Sequence, residues 1–169
     1  MSLVASLHRR FAQTSRRQAL ASAVAAAQVE RSGARGQQLR DGARLPFRAG
    51  AFDAVLLLDV VHHAASPRGL LGEAGRVARS VVVIKDHLAD RLGARPLLGF
   101  MDWVGNARFG VSLPHHYWRK RDWHAAFDAL GWTVTTWNEQ LGLYQPALRP
   151  VFEHGLHFVA TLRPAPSNA

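Results

Sequence analysis

Two short clusters of polar residues stand out as able to do chemistry. Asp59, His62 and His63 close an apolar run that begins at Phe52, and Lys85, Asp86 and His87 close a second run, Val81 to Ile84. An imidazole titrates near neutrality and can take up or return a proton during a reaction, so His62, His63 and His87 are the candidate catalytic residues. Asp86 has the chemistry to orient a neighbouring histidine. The same side chains, His62, His63, Asp86 and His87, with His115 and His116 as additions, are also the donor types of a metal site. Adjacent histidines on an extended chain point in opposite directions, so the favoured reading assigns no metal ligand. A His/Asp metal-binding protein is kept as an alternative.

These clusters need elements that bring them to one place. Phe52, Ala54, Val55, Leu56, Leu57 and Leu58 form an apolar run without Gly or Pro, which predicts a central parallel strand covered on both faces. Ser66-Pro67 opens a helix to about Arg79, with Leu70, Leu71, Ala74 and Val77 on one face. Val81 to Ile84 is a second buried, β-branched strand. Strand, helix and strand make a βαβ unit whose two polar clusters lie at the same rim, where α/β sheets bind their ligands. Leu97, Leu98, Phe100, Met101, Trp103 and Val104 predict a helix stopped by Gly105-Asn106, then a loop from Gly110 to Pro114. Tyr117, Trp118, Trp123, Phe127 and Leu130 predict another helix, capped by Gly131. A strand over Trp132 to Trp137, a loop from Leu141 to Pro150 and an antiparallel closing strand from Leu156 to Leu162 complete the order. Trp103, Tyr117, Trp118 and Tyr144 could roof an apolar substrate, although aromatic residues at helical spacing belong more often to a core.

The 169 residues, 48% hydrophobic and 20% charged, suit one domain with a sizeable core. With no cysteine, disulfides, iron–sulfur clusters and thiolate zinc sites are excluded. No apolar stretch reaches the ~20 residues that cross a bilayer, so membrane insertion is not expected, and a cytoplasmic location is. The formal net charge is +9, and the arginines crowd the first fifty residues, from Arg9 to Arg48. Such an arm could bind nucleic acid or an anionic membrane through phosphate contacts, but a solvated Arg-rich segment is the favoured reading. Arg16 to Glu30 reads as a plain N-terminal helix rather than a targeting segment. A short strand near Gln37 to Arg40 is expected to end at Asp41-Gly42.

The order of motifs resembles a known family. Asp41-Gly42-Ala43-Arg44-Leu45-Pro46-Phe47, then Phe52-Asp53-Ala54-Val55 and Asp59-Val60-Val61-His62-His63, are similar to the "D-[AG]-x-x-L-P-F … F-D-x-V … L-H-H" signature of the class I S-adenosylmethionine-dependent methyltransferases of type 11. Leu71-Gly72-Glu73-Ala74-Gly75-Arg76-Val77 resembles that family's "L-x-E-x-x-R-V" helix. The resemblance covers roughly Gln38 to Leu162. It implies S-adenosylmethionine as cofactor, with Asp41 and Gly42 at the adenine and Asp59 and Val60 beside the methionine part, and a small-molecule methyl acceptor.

The family's G-x-G-x-G loop, which should precede Asp41, is not visible. Ser32-Gly33-Ala34-Arg35-Gly36 has the wrong glycine spacing and no apolar strand before it. The expectation is therefore an α/β, Rossmann-like methyltransferase fold, with a mostly parallel sheet and an antiparallel closing strand, lacking the first glycine-loop unit by N-terminal truncation. Its parts are a basic segment over residues 1–36, a methyltransferase-like domain over 37–163 and a disordered tail over 164–169. A non-catalytic remnant that needs a partner chain is the remaining alternative.

Overall fold

The computed structural model describes residues 44–106 and 116–165. The chain divides into two units, Met1–Gln38 and Leu39–Ala169, and every described residue lies in the second. The predicted helix over Arg16 to Glu30, the strand near Gln37, the residues Asp41 and Gly42, the loop from Gly110 to Pro114 and the end of the tail, 166–169, lie outside the described residues.

Strands β1 (Phe52–Leu58), β2 (Ala78–His87), β3 (Thr133–Asn138) and β4 (His157–Arg163) form a four-stranded sheet in the order β1-β2-β4-β3. β1 and β2 run parallel, with Leu56 opposite Val83, whereas β4 runs antiparallel to both β2 and β3. The antiparallel closing strand expected from the sequence is thus present. A parallel pair needs a crossover, and helix α1 (Pro67–Val77) supplies it.

Among the described residues β1 pairs with β2. The expectation that it is covered on both faces is corrected, because of its seven residues only Leu57 is buried and Leu56 is 42% exposed. The strands paired on both edges are β2 and β4, and Val82, Ile84, Phe158, Ala160 and Leu162 are fully buried. β2 also runs longer than predicted, because Lys85, Asp86 and His87 belong to the strand and are buried in it. Their polar atoms bond to neighbouring side chains and backbone amides, which patterning by hydropathy does not register.

The helix α1 begins as its sequence demands. Ser66 accepts a hydrogen bond from the Gly69 amide, and Pro67 follows at a position where no amide is needed. Leu70, Leu71, Ala74 and Val77 face the core. On the opposite side Glu73 and Arg76 hold the segment before β1. Glu73 accepts from the Leu45 amide at 2.7 Å, and Arg76 donates to the Phe47 and Leu45 carbonyls at 2.8 and 3.0 Å while gripping Glu73 at 2.7 Å. Glu73, Arg76 and Leu45-Pro46-Phe47, from two separate motifs in the sequence, are therefore two sides of one clamp.

Helix α2 (Ala94–Asn106) buries Leu98, Met101 and Asp102 and leaves Phe100 and Trp103 exposed. Helix α3 (Lys120–Ala129) starts three residues later than Tyr117, where Asp122 accepts from the Arg119 amide at 3.0 Å. Gly131, at φ 66°, ends it as expected. The segment expected as a loop after Leu141 contains a short helix, α4 (Arg149–Phe152). The core closes with aromatic contacts between α3 and the sheet. Trp123 meets Phe158 edge to face at 4.9 Å, and Trp137 stacks on Phe158 at 4.2 Å.

Gly75 of α1 lies against Trp132. A β-carbon there would stand 2.5 Å from the buried indole ring, which is closer than contact allows and which a rigid ring cannot relieve by a rotamer change. Gly75→Ala is expected to lower stability by about 1–2 kcal/mol in urea unfolding, the overpacking outweighing the gain in helix propensity.

Candidate functional site

Just past the carboxyl end of β1 the chain turns sharply, and five elements bring ionisable groups together. Asp59 leaves β1 at φ 52°, a left-handed conformation that Asp tolerates better than most residues. A 3-10 turn, Val61–His63, follows and carries His62 inward. β2 delivers Lys85, Asp86 and His87, α2 delivers Asp102, and the start of β4 delivers His157 opposite His87. His62, Lys85, Asp86, His87, Asp102 and His157 are all buried.

Asp86 anchors the cluster. Its Oδ2 accepts from the Val61 amide at 3.1 Å, and its Oδ1 accepts from the His87 amide at 2.7 Å and lies 2.6 Å from His62 Nδ1. Burial alone would favour the neutral acid, but His62 and the amide bonds hold the Asp86 carboxyl below its ordinary range. An ionised carboxylate only accepts, so His62 Nδ1 carries the proton and His62 Nε2 points away from Asp86. Burial opposes a charged His62, yet Asp86, with Asp102 and Asp59, outweighs it and raises the His62 pKa. Its Nε2 has no hydrogen-bond partner.

The tautomer of His87 follows from a second chain of bonds. His157 Nε2 lies 3.0 Å from the Phe152 carbonyl, which can only accept, so that nitrogen carries the proton. Burial, aided by Lys85, pushes the His157 pKa down to about 3, so the ring is neutral and its Nδ1 is bare. His87 Nδ1, 3.1 Å away, must donate to it. Burial also keeps His87 neutral, with its pKa well below the ordinary value, and leaves His87 Nε2 as a lone pair. That lone pair lies 3.7 Å from Asp102 Oδ1, and His62 Nε2 lies 3.6 Å from Asp102 Oδ2. The Tyr117 hydroxyl donates to Asp102 Oδ2; burial and Asp102 raise its pKa, so it keeps its proton. Lys85 donates to both oxygens of Asp59, at 2.6 and 2.7 Å. Burial raises the Asp59 pKa against the pull of Lys85.

Of the predicted catalytic residues, His62 and His87 meet, with ring centroids 4.5 Å apart. His63 is half-buried and lies against the His62 ring at 3.9 Å. Of the predicted cofactor residues, Asp59 and Val60 stand at this rim, Val60 40% exposed. Asp41 and Gly42 lie outside the described residues. Among the aromatic residues considered for a roof, Tyr117 and Tyr144 are buried beside the histidines, Tyr117 near His62 and Tyr144 near His157. Trp118 packs on the core residue Trp123, and Trp103 is 60% exposed. Sequence reasoning missed Asp102 and His157. Asp102 follows Leu98 by one helical turn, so a carboxylate on the apolar face of α2 was its signal. His157 could be found only by pairing β4 with β2 in register.

The methyltransferase domain model of type 11 matches residues 4–83, from within the Arg-rich N-terminal segment into β2. Solved structures share the fold at low identity. YcgJ from Bacillus subtilis superposes with a TM-score of 0.54 at 15% identity, covering 86% of this chain and 78% of its own. A methyltransferase candidate from Haloferax volcanii, solved in complex with the Trm112 methyltransferase activator, gives 0.51 at 16%, covering 82% and 67%. A methyltransferase candidate from Bacillus halodurans gives 0.50 at 17%, covering 75% and 76%. No curated protein matches the chain in sequence. The sheet therefore has the class I, Rossmann-like methyltransferase fold. The type 11 model accounts for 80 of the 169 residues, just under half of the chain.

The buried groups make stability depend on acid. Once unfolded, His157 binds a proton below its ordinary value of about 6.5, whereas folded it resists until about 3. The unfolded state therefore gains protons as pH falls through that window, and stability falls with it. Asp86, held low when folded, adds a further loss below about 4. A drop of about 2–4 kcal/mol between pH 7 and pH 4 is expected in denaturant titrations. His157→Gln should make the slope shallower.

Proposed function

We propose that this chain transfers a methyl group from S-adenosylmethionine to a small-molecule acceptor, in the cytoplasm, and that His62 takes the acceptor's proton. The observation that supports it best is the unpartnered, buried His62 Nε2, held in the correct tautomer by Asp86 at the carboxyl rim of a parallel strand pair in a chain that the type 11 model matches.

The residues at the rim suit the cofactor in part. Val60 offers an exposed apolar side chain where the chain turns after Asp59, and Lys85 neutralises the Asp59 carboxylate. Asp41 and Gly42 are proposed for the adenine by their place in the motif. When bound, S-adenosylmethionine supplies an electrophilic methyl on a sulfonium, which reacts by in-line displacement. The chain's own share is to position the acceptor, exclude water and remove a proton. His62 Nε2 has the lone pair to accept a hydrogen bond from an acceptor hydroxyl, and Asp86 compensates the imidazolium formed when the proton moves. His87 Nε2 presents a second acceptor nearby and, being neutral, can orient the same group. His63, beside His62, is a wall of this site rather than a second base.

A second reading, a chain that works only with a partner, is favoured by one observation. Leu56 of β1 is 42% exposed although apolar. The Haloferax volcanii relative was itself solved with an activator protein.

Calorimetric titration of the purified chain with S-adenosylhomocysteine tests the proposal. Micromolar binding, weakened at least tenfold by Asp41→Ala, is expected; no binding by the folded chain favours the partner reading. With an acceptor found by screening, His62→Ala should lower kcat about 100-fold or more. The rate should rise with pH through a value above the ordinary histidine pKa, since His62 works as a base only when neutral. Asp86→Asn should move that limb to lower pH, because the carboxylate that raises the His62 pKa is gone.

A further inference from the structure

His62 Nε2, His87 Nε2 and the Asp102 carboxylate are three atoms or groups of metal-ligand type that face one another. The separations are 3.6 Å from His62 Nε2 to Asp102 Oδ2 and 3.7 Å from His87 Nε2 to Asp102 Oδ1, and the ligand atoms of all three residues lie within 4.8 Å of one another. The outward hydrogen bonds fix this arrangement. His62 Nδ1 is committed to Asp86, and His87 Nδ1 to His157, whose Nε2 is in turn committed to the Phe152 carbonyl. Neither imidazole can turn its N–H toward Asp102 without breaking a buried bond.

We propose that His62, His87 and Asp102 form a binding site for one divalent first-row transition metal ion, such as Zn²⁺. Ligands at about 2.1 Å from a tetrahedral ion stand about 3.4 Å apart, so each His–Asp102 separation is a few tenths of an ångström too wide and the set as a whole, within 4.8 Å, must contract by up to about 1.4 Å. Two imidazoles and one carboxylate suit such ions better than Mg²⁺ or Ca²⁺, which prefer oxygen donors. Each ligand has the outer partner that a metal site needs: Asp86 behind His62, His157 behind His87 and the Tyr117 hydroxyl behind Asp102. The charges also balance. Lys85 offsets Asp59, and the Asp86 and Asp102 carboxylates leave two negative charges among buried groups, which a dication cancels.

Three protein ligands leave a coordination position open. In a chain that transfers methyl groups, and only on that reading, an oxygen of the acceptor would take this position. The class of acceptor is then an alcohol, phenol or enol, or a compound that pairs such an oxygen with a second donor. A lone pair of His62 given to the metal is no longer open to a proton, so the loaded site would hold the acceptor's oxygen directly instead of through a hydrogen bond.

The test uses the full chain, freed of metal with chelator, and titrates it with CoCl₂ and ZnCl₂ by calorimetry and visible absorption. One equivalent bound at micromolar or tighter affinity, with a Co²⁺ absorption band of nitrogen and oxygen ligation and a raised Tm, is expected. His87→Gln and the nearly isosteric Asp102→Asn should each weaken binding at least tenfold, whereas His154→Ala, an exposed histidine on another surface, should not. Folding of each variant is read from circular dichroism. A folded wild-type chain that shows neither heat nor a shift in Tm would overturn the proposal, as would undiminished affinity in folded Asp102→Asn and His87→Gln. Binding of S-adenosylhomocysteine is measured separately on metal-free chain, so a failed metal site and a failed methyltransferase reading give different results.

Discussion

The structure around the site depends on one buried carboxylate. Asp86 is fully buried, and taking an ion out of water costs several kcal/mol unless neighbours replace the lost solvation. Three donors do so, and they come from two pieces of chain: the Val61 amide and the His62 ring from the 3-10 turn, and the His87 amide from β2. Satisfying Asp86 therefore sets where the 3-10 turn lies relative to the end of β2. That requirement in turn decides the His62 tautomer, the direction of His62 Nε2 and the closeness of the two imidazoles. The site's polar geometry is the solution to a desolvation problem posed by a single residue.

The surrounding fold supplies rigidity more than chemistry. β2 is paired along both edges and packed by α1 and α3, so its last three residues, though polar, are held as firmly as the apolar ones before them. The outer bonds act in the same sense. Trp123 donates to the His87 carbonyl at 3.1 Å, and the Ala89 amide donates to the Trp118 carbonyl at 2.9 Å, which ties the aromatic core to the residues just beyond the rim. The clamp of Glu73 and Arg76 on Leu45 and Phe47 fixes the entrance to β1 from outside the core.

Much of this was legible in the sequence, and what was not has physical reasons. α1 could be read to the residue at its start because Ser66 and Pro67 are local signals, and its buried face because Leu70, Leu71, Ala74 and Val77 repeat with the helical period. The pairing of His62 with Asp86 was accessible because both end apolar runs that had to be parallel neighbours. The exposure of most of β1 was not, since an apolar run does not say which of its faces the rest of the chain covers. Asp102 and His157 join the site through contacts distant in sequence, and a single polar residue inside an apolar pattern looks the same whether it is solvated or partnered. The motif residues Glu73 and Arg76 were visible as a pattern, but their task of holding a backbone segment appears only in three dimensions.

The strand order β1-β2-β4-β3 also bears on synthesis. The strand nearest the carboxyl terminus is not added to the outside of the sheet; it is inserted between two strands made earlier. Until the residues of β4 have left the ribosome, β2 and β3 each keep an unpaired edge, and contacts this far apart in sequence form slowly. β4 also carries His157, so the hydrogen-bond relay behind His87 is the last part of the cluster to be assembled. An incomplete chain could hold β1, α1 and β2 together and still lack the ring that fixes the His87 proton. Chemistry at this rim thus becomes available only after the sheet has been closed, which ties competence of the site to completion of the fold.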